Sequence, residues 1–141
     1  MREYLFRGKR TDNGQWIEGH LVVFPRSKRT KILVWEEADL EFNAIEVRAD
    51  TVGQFTGLTD KNGKRIWEGD IVTIPGSKMM GLPAPVAYYP QGAAFQIRRN
   101  GFRAITLWDA NETMEVVGNI HDNLTEEPRL KGGRWRNDHR L

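Results

Sequence analysis

Short runs in which apolar and polar residues alternate fill most of this chain, and residues that favour turns separate them. An Asn-Gly pair lies between such runs three times, at Asn13-Gly14, Asn62-Gly63 and Asn100-Gly101. Both residues of the pair adopt positive φ readily, which tight hairpin turns require. The three pairs therefore predict antiparallel hairpins rather than parallel strands joined by helices.

The second half of the chain contains five predicted strands. They lie near Asp70–Ile74, Pro85–Tyr89, Ala94–Arg99, Phe102–Trp108 and Glu115–Gly118. A long loop follows the first strand, a tight hairpin joins the third and fourth, and a short 3₁₀-like turn precedes the last. This order is typical of a small SH3-like barrel, and the segment Glu68–Gly76 is similar to the entry strand of such barrels.

Helical periodicity is weak. In the first half, Ile32–Trp35 is predicted as a strand. The acidic segment Trp35–Val47 is interpreted as irregular, with a short helix or a loop-strand element as the alternatives. One helical turn is predicted at Thr125, where Pro128 limits its length. The chain is thus predicted to be mainly β, with little helix.

Three regions are predicted from these patterns. Residues 1–66 form an N-terminal antiparallel β subdomain with a variable insert at about 25–50, residues 67–124 form the SH3-like β-barrel subdomain, and residues 125–141 form a helical turn with a basic flexible tail. At the start of the second subdomain, Gly69 permits a tight turn into the first strand and Asp70 accepts backbone N–H groups there.

Composition narrows the function classes. The chain has 141 residues, enough for one domain or two small subdomains, and no cysteine, which excludes disulfides, zinc–thiolate sites and thiol catalysis. No apolar run approaches the ~20 residues of a membrane helix. The start of the sequence lacks the apolar region of a secretory signal. We therefore expect a cytoplasmic protein without membrane contact.

Positive charge is concentrated at the C-terminal end. The whole chain carries +2, whereas residues 129–141 contain five Arg or Lys and one Asp, a local charge of +4. The first 128 residues then sum to −2, so a basic body typical of nucleic-acid-binding proteins is not indicated. A basic tail with adjacent glycines is typical of a flexible arm.

Binding residues are predicted in the basic loops and the tail. They are Arg26, Lys28 and Arg29 in one loop, Arg98, Arg99 and Arg103 at a hairpin tip, and Trp135 in the tail. Basic groups beside an aromatic ring are what single-stranded nucleic acid binds, although ordinary solvated surface is the commoner explanation. The other tryptophans, Trp16, Trp35, Trp67 and Trp108, lie in strand-like runs and are expected to anchor the core.

Catalytic patterns are weak by comparison. His20, His121 and Asp122 offer a conceivable metal site, but their spacing does not indicate one. The only serines, Ser27 and Ser77, lie in loops without a triad pattern. No catalytic residue, metal site or cofactor is therefore predicted.

Three segments, "FRGKRTDNGQWIEGHLV", "TVGQFTGLTDKNGKRIWEGDIV" and "EVVGNIHDN", occur in this order along the chain. Together they resemble the YopX family, small proteins encoded largely by phages and prophages, over about residues 2–124. The resemblance implies a mainly β protein with a variable N-terminal subdomain and an SH3-like C-terminal one. It implies no activity, cofactor or catalytic residue.

The leading hypothesis is a non-enzymatic, cytoplasmic binding module of phage or prophage origin, whose partner is a host or phage protein. One alternative is a nucleic-acid-binding protein that uses the basic loops and tail. A second is a metal-dependent hydrolase or nuclease that uses His20 and His121 with acidic neighbours. A third is an assembly protein that oligomerises through exposed strand edges.

Overall fold

The structure, a computed structural model, describes residues 3–78, 81–98 and 103–122. It is mainly β, with antiparallel sheets and little helix, as predicted. The chain forms two compact units that divide between Phe55 and Thr56. The three regions predicted from the sequence, 1–66, 67–124 and 125–141, are not tested by this division and remain a prediction. No helix of the described residues has the length and apolar character needed to cross a membrane.

The first unit is an antiparallel sheet built from strands that follow one another in sequence. The strands are β1 (Phe6–Lys9), β2 (Trp16–Val23), β3 (Thr30–Glu36), β4 (Glu41–Glu46) and the first residues of β5 (Gly53–Thr59). Their order across the sheet is β4-β3-β2-β1-β5. β1 therefore lies between β2 and β5, and β4 is the outermost strand of this unit.

The first Asn-Gly pair lies in the hairpin that was predicted for it. β1 and β2 are antiparallel, and Lys9 pairs with Trp16, so the connection is longer than a two-residue turn. Gly14 has φ +73°. Asn13 Oδ1 accepts the N–H of Gln15 at 2.9 Å, which satisfies one amide of the connection.

The acidic segment after β3 forms a strand, so the prediction of irregular structure was wrong. β4 pairs with β3 over six residues, from Lys31 opposite Glu46 to Glu36 opposite Glu41. The acidic residues interrupt the apolar pattern mainly in the turn, residues 37–40, where Leu40 has φ +53°. Beyond the turn, cross-strand pairing outweighs the weak strand propensity of this sequence.

One face of the first unit is buried. Ile32 is 0% exposed, and Val47 and Thr51 are also buried. A Cβ on Gly19 would overlap the Leu33 carbonyl oxygen, so only glycine fits at this position of β2. The Thr51 hydroxyl accepts the N–H of Lys9 at 2.9 Å, which ties the 3₁₀ turn Ala49–Thr51 to β1.

The second unit contains the end of β5 and seven further strands. These are β6 (Arg65–Trp67), β7 (Asp70–Thr73), β8 (Ala84–Pro85), β9 (Ala87–Tyr89), β10 (Ala94–Ile97), β11 (Ile105–Thr106) and β12 (Glu115–Asn119). A four-residue helix α1 (Leu107–Ala110) and 3₁₀ turns at Pro90–Gly92 and Asn111–Thr113 complete it. Two three-stranded sheets have the orders β12-β7-β8 and β11-β10-β9, and over the described residues no barrel closes.

Two of the five predicted strands differ from the observed ones. Pro85–Tyr89 is divided at Val86, because the Val86 N–H and carbonyl bond to Asp70 and Gly69 instead of continuing one ladder. Phe102–Trp108 was wrong at its end: β11 stops at Thr106, and α1 begins at Leu107. Leu107 points into the core of the unit, and the helical turn places Trp108 outside it.

The core of the second unit is small and apolar. Its buried residues are Ile66, Val72, Ala84, Val86, Ile97, Leu107 and Met114. Gly69 has φ +91°, and Asp70 Oδ2 accepts the N–H of Trp67 at 2.7 Å, so both residues have the turn roles predicted for them. The 3₁₀ turn before β12 was also predicted correctly.

A buried carboxylate joins distant parts of the second unit. Asp60 Oδ1 accepts the N–H groups of Asn62 and Lys64, both at 2.9 Å, and Oδ2 accepts the N–H of Val116 in β12 at 3.0 Å. Gly63, with φ +80°, closes the turn by donating its N–H to the Asp60 carbonyl. The second Asn-Gly pair thus turns a hairpin that the Asp60 carboxylate fastens to β12.

Candidate binding surfaces

The first predicted group of cations lies in the turn between β2 and β3, which we call the basic turn (residues 26–29). All its side chains are exposed, and Lys28 has φ +62°. Arg29 Nε lies 3.7 Å from Glu46 Oε2. Arg26 and Lys28 form no ion pair with any described residue, so their charges are available to a partner.

The second predicted group lies beside the hairpin of β10 and β11. Arg98 is half-buried: its guanidinium carbon is 3.6 Å from the Tyr89 ring centroid, and its Nε donates to Gln96 Oε1 at 3.1 Å. Arg103 is exposed just before β11. Arg99 lies outside the described residues, as do the third Asn-Gly pair and Trp135. Because the Arg98 guanidinium packs on the Tyr89 ring, it is less available to a partner than was expected from its predicted position at a hairpin tip.

An exposed group of aromatic side chains on β2–β4 was not predicted. Cross-strand partners lie on the same face of a sheet, and His20 is opposite Leu33, while Trp35 is opposite Phe42. The Trp35 and Phe42 ring centroids are 5.1 Å apart at 68°, and those of His20 and Phe42 are 6.0 Å apart at 75°. We call this surface the aromatic face (His20, Phe24, Trp35 and Phe42).

The rings of the aromatic face are open to solvent. Trp35 is 45% exposed and Phe42 51% exposed, whereas Ile32, which points to the other side of β3, is fully buried. The expectation that Trp35 anchors the core was therefore wrong. The same holds for Trp108, which is 70% exposed on α1, while Trp67 is buried as expected. Side chains alternate between the two faces of a strand. If β4 had been predicted from the sequence, this alternation would have placed Phe42 on the exposed face.

The turn that joins β3 to β4 is rich in carboxylates, and we call it the acidic turn (Glu36, Glu37, Asp39 and Glu41). Glu36 lies directly opposite Glu41 across β3 and β4, on the face of the sheet away from Trp35 and Phe42. Glu37 Oε1 accepts the Trp35 indole N–H at 3.0 Å. None of the four carboxylates forms an ion pair with the part of the chain that the structure describes.

Sequence comparison decides the family. The YopX protein family matches residues 5–126, which is most of the chain. The chain belongs to the YopX family. This confirms the resemblance carried by the three sequence segments. No curated protein matches the sequence.

A solved structure shows the same fold. Protein EF1440 from Enterococcus faecalis is similar to this YopX-family chain with a TM-score of 0.51 and 22% sequence identity. The match covers 88% of this chain and 97% of that one. At this identity the similarity concerns the fold alone.

The two described histidines of this YopX-family protein, His20 and His121, do not lie in a metal-binding cluster. His20 is exposed on β2 with its ring against Phe42, and His121 follows β12 in a turn where Asn119 Oδ1 accepts its N–H. Across residues 3–78, 81–98 and 103–122, no three His, Asp or Glu side chains are grouped as metal ligands. The hydrolase alternative stays a prediction that no observed contact favours.

Proposed function

We propose that this YopX-family protein is a non-enzymatic binding module, of phage or prophage origin and cytoplasmic, that docks a host or phage protein on its aromatic face. The observation that carries the proposal is the Trp35–Phe42 pair, whose rings meet edge to face and are exposed on one side of a sheet, while Ile32 on the other side is buried. Contiguous exposed aromatic rings on a rigid sheet are typical of protein contact sites.

The free energy available from covering these rings is substantial. A Trp or Phe side chain buries about 150–250 Å² when fully enclosed. With roughly half of each ring exposed, a partner that covers both removes about 200 Å² of apolar surface from water. At about 25 cal/mol per Å² this corresponds to ~5 kcal/mol before the costs of association. Two rings therefore supply the centre of a binding site, but not all of its affinity.

The charges around the aromatic face favour a protein over a polyanion. The basic turn lies at one end of β3 and the acidic turn at the other, because β3 connects them. A phosphate chain laid along the face would meet the Glu37 carboxylate, which accepts the Trp35 indole N–H. A protein surface with separate positive and negative parts satisfies both ends.

Single-stranded nucleic acid is a second candidate, supported by cations stacked on rings. Lys31 Nζ lies 5.6 Å from the Phe24 centroid at the basic end of the aromatic face, and Arg98 stacks on Tyr89 in the second unit. Binding of this kind weakens steeply with salt, since each phosphate contact releases counterions. If the tail contributes phosphate contacts, residues 1–128 will show a smaller salt slope than the full chain.

For the second unit we propose an SH3-like arrangement. The supporting features are the long connection between β7 and β8, the β10–β11 hairpin and the 3₁₀ turn Asn111–Thr113 before β12. The unit would then act as the scaffold, with Arg98 and Arg103 on one of its loops.

Comparative affinity capture tests the proposed function. The full-length protein, a Trp35→Ser/Phe42→Ser double variant and a Trp108→Ser control are used as baits in cells in which the prophage is induced. Trp108 is more exposed than either ring of the pair but lies in the second unit. We expect one protein to be retained by wild type and by the control and lost with the double variant. Equal recovery by all three baits, with each bait folded by circular dichroism, would refute the proposal.

A further inference from the structure

The outer strand of the first unit leaves part of its backbone unpaired. We infer that the partner binds there as an extended segment, which adds a strand antiparallel to β4 and presents alternating apolar and basic side chains. The inference rests on the proposed function, because the added strand continues the aromatic face. It specifies how the partner binds and which side chains it contributes.

The direction of the backbone groups of β4 follows from one hydrogen bond. Just after β4, the Val47 N–H donates to the Thr30 carbonyl of β3 at 3.0 Å. In an antiparallel sheet, the residues of a strand direct their N–H and C=O groups alternately toward one neighbour and toward the other. Counting back along the register from Val47, Phe42 and Ala44 direct both groups away from β3. We call these groups the open edge (the backbone of Phe42 and Ala44).

The open edge has a defined length. The Glu46 carbonyl accepts the Thr11 N–H at 3.2 Å, so the chain after β1 covers the edge at that end. At the other end, β4 begins at Glu41. β4 is the outermost strand of its sheet, and no described strand lies beside Phe42 and Ala44. Since each of these two residues offers one N–H and one C=O, a segment of about four residues satisfies the open edge.

β4 lacks the features that usually protect a sheet edge. Its sequence, EFNAIE, contains neither Lys nor Pro, and its pairing with β3 shows no bulge. Proteins use such residues and irregularities to prevent pairing with other chains. The strands β1–β4 are all antiparallel, and we expect an added strand to follow this arrangement. The open edge is thus suited to pair with an extended segment through its main chain.

The side chains beside the open edge select the occupant. A residue paired with Phe42 lies on the exposed face, next to the Trp35–Phe42 pair, where an apolar side chain extends the aromatic surface. Its neighbour, paired with Glu41, lies on the opposite face beside Glu36 and Glu41. These two carboxylates are directly opposite each other and form no ion pair within the described residues. A Lys or Arg of the added strand offsets their repulsion.

A second copy of β4 does not meet these requirements. The six residues of β4 contain no cation, so pairing of two β4 strands leaves Glu41 of each copy beside a strand without positive charge. The carboxylates at this end of the open edge therefore favour a basic segment of another protein.

A synthetic peptide tests the pairing directly. The probe is acetyl-Thr-Val-Lys-Phe-Lys-Val-Thr-amide, in which Val and Phe share one face of a strand and Lys the other. Isothermal titration calorimetry with the full-length protein, at peptide concentrations up to about 1 mM, measures binding. We expect a dissociation constant on the order of 10–100 µM, and at least about tenfold weaker binding when Glu replaces both Lys. No binding of the probe at about 1 mM, or equal binding of the Glu peptide, overturns the inference.

Methylation of single peptide amides reports the hydrogen bonds. In the expected register, the N–H groups of Phe and of the first Val face the open edge, whereas those of both Lys face solvent. N-methylation at Phe should weaken binding at least about tenfold, and N-methylation at either Lys by less than about threefold. Any other pattern overturns antiparallel pairing with β4.

Two variants at one position test the protein side. Ala44→Pro removes the outward N–H and keeps the bonds to β3, because the backbone groups of Ala44 do not belong to that ladder. Ala44→Thr is the matched control, since it keeps the N–H at this exposed position. With both variants folded by circular dichroism, we expect Ala44→Pro to weaken peptide binding at least about tenfold and Ala44→Thr by less than about threefold. Equal binding by the two variants overturns the inference; if Ala44→Pro does not fold, the methylated peptides decide.

The inference and the proposed function fail separately. If the capture experiment loses its protein with Trp35→Ser/Phe42→Ser but retains it with Ala44→Pro, the partner binds the aromatic face without strand pairing, and only this inference is wrong. If neither change affects capture, the proposed function is wrong as well. A wild-type dimer in sedimentation velocity that is lost with Ala44→Pro assigns the open edge to a second copy and also overturns the inference.

Discussion

Replacing Asp60 by asparagine removes a carboxylate on which the second unit depends. Asp60 is 5% exposed, and its two oxygens accept three backbone N–H groups. Two of these, from Asn62 and Lys64, belong to its own turn, and the third belongs to Val116. Asparagine offers one acceptor oxygen and turns an NH₂ group toward the remaining amides, so at least one bond is lost and one donor faces another donor.

The size of the effect follows from the exposure of these amides. A hydrogen bond to a charged group contributes about 1.5–3 kcal/mol to stability. In the variant, water can bind the backbone N–H groups of Asn62 and Lys64, because both residues are exposed. It reaches the N–H of half-buried Val116 less readily. We therefore expect Asp60→Asn to lower the free energy of unfolding by about 2 kcal/mol at pH 7, and Asp60→Ala by about 3 kcal/mol.

The effect depends on pH. Burial alone raises the pKa of Asp60, but the N–H groups of Val116, Lys64 and Asn62 outweigh it and lower the pKa below its ordinary 3.8. A lowered carboxyl pKa stabilises the fold fully above the unfolded value, and this stabilisation is lost as the pH falls through the folded pKa. The difference between wild type and Asp60→Asn should therefore shrink steadily below about pH 4.

Urea denaturation at pH 7 and at about pH 2.5, together with hydrogen exchange at the Val116 amide, measures these changes. Asp12→Asn is a matched control, because Asp12 also lies in an Asn-Gly turn but is exposed and pairs only with Arg10, at 2.8 Å. Its effect should be less than about 0.5 kcal/mol. A loss of similar size at both pH values, or an Asp60→Asn protein as stable as wild type at pH 7, would contradict the reasoning.

Three further changes test the packing. Gly19→Ala should destabilise the first unit by about 3 kcal/mol or more, because the new Cβ overlaps the Leu33 carbonyl; fluorescence-monitored urea unfolding measures this. Leu40→Asn should raise the free energy of unfolding, measured by urea denaturation, by about 0.5–1 kcal/mol, because Leu40 has φ +53° and is 71% exposed, and asparagine tolerates that conformation better. Ile66→Ala should cost about 2–5 kcal/mol in thermal unfolding, whereas exposed Val117→Ala should cost less than about 0.5 kcal/mol.

The parts of the fold that sequence reasoning predicted well are those with local chemical signals. Asn13-Gly14 and Asn62-Gly63 require positive φ, and each glycine has it. Gly69 and Asp70 begin β7 as their turn chemistry indicated. These positions are determined by backbone conformation and by one or two short-range hydrogen bonds, which is why a single sequence reveals them.

The aromatic face was missed because exposure is decided by pairing rather than by residue type. Trp35 has the strand propensity of a core residue, and nothing within its own segment distinguishes the two faces of β3. Phe42 lies in a segment whose acidic residues obscured the strand. Only the register Trp35 opposite Phe42, and the burial of Ile32 on the other side, places both rings in solvent.

The Asp60 carboxylate links residues that are far apart along the chain and are therefore synthesised at different times. Its bond to Val116 spans 56 positions, and β12 also completes the sheet beside β7. A nascent chain that stops before Glu115 leaves the edge of β7 open, and Asp60 lacks one of its donors. Open strand edges invite aggregation and are recognised by quality control in cells. The second unit therefore matures only once its last strand has been made, and an unfinished chain remains distinguishable from a complete one by its accessible edge.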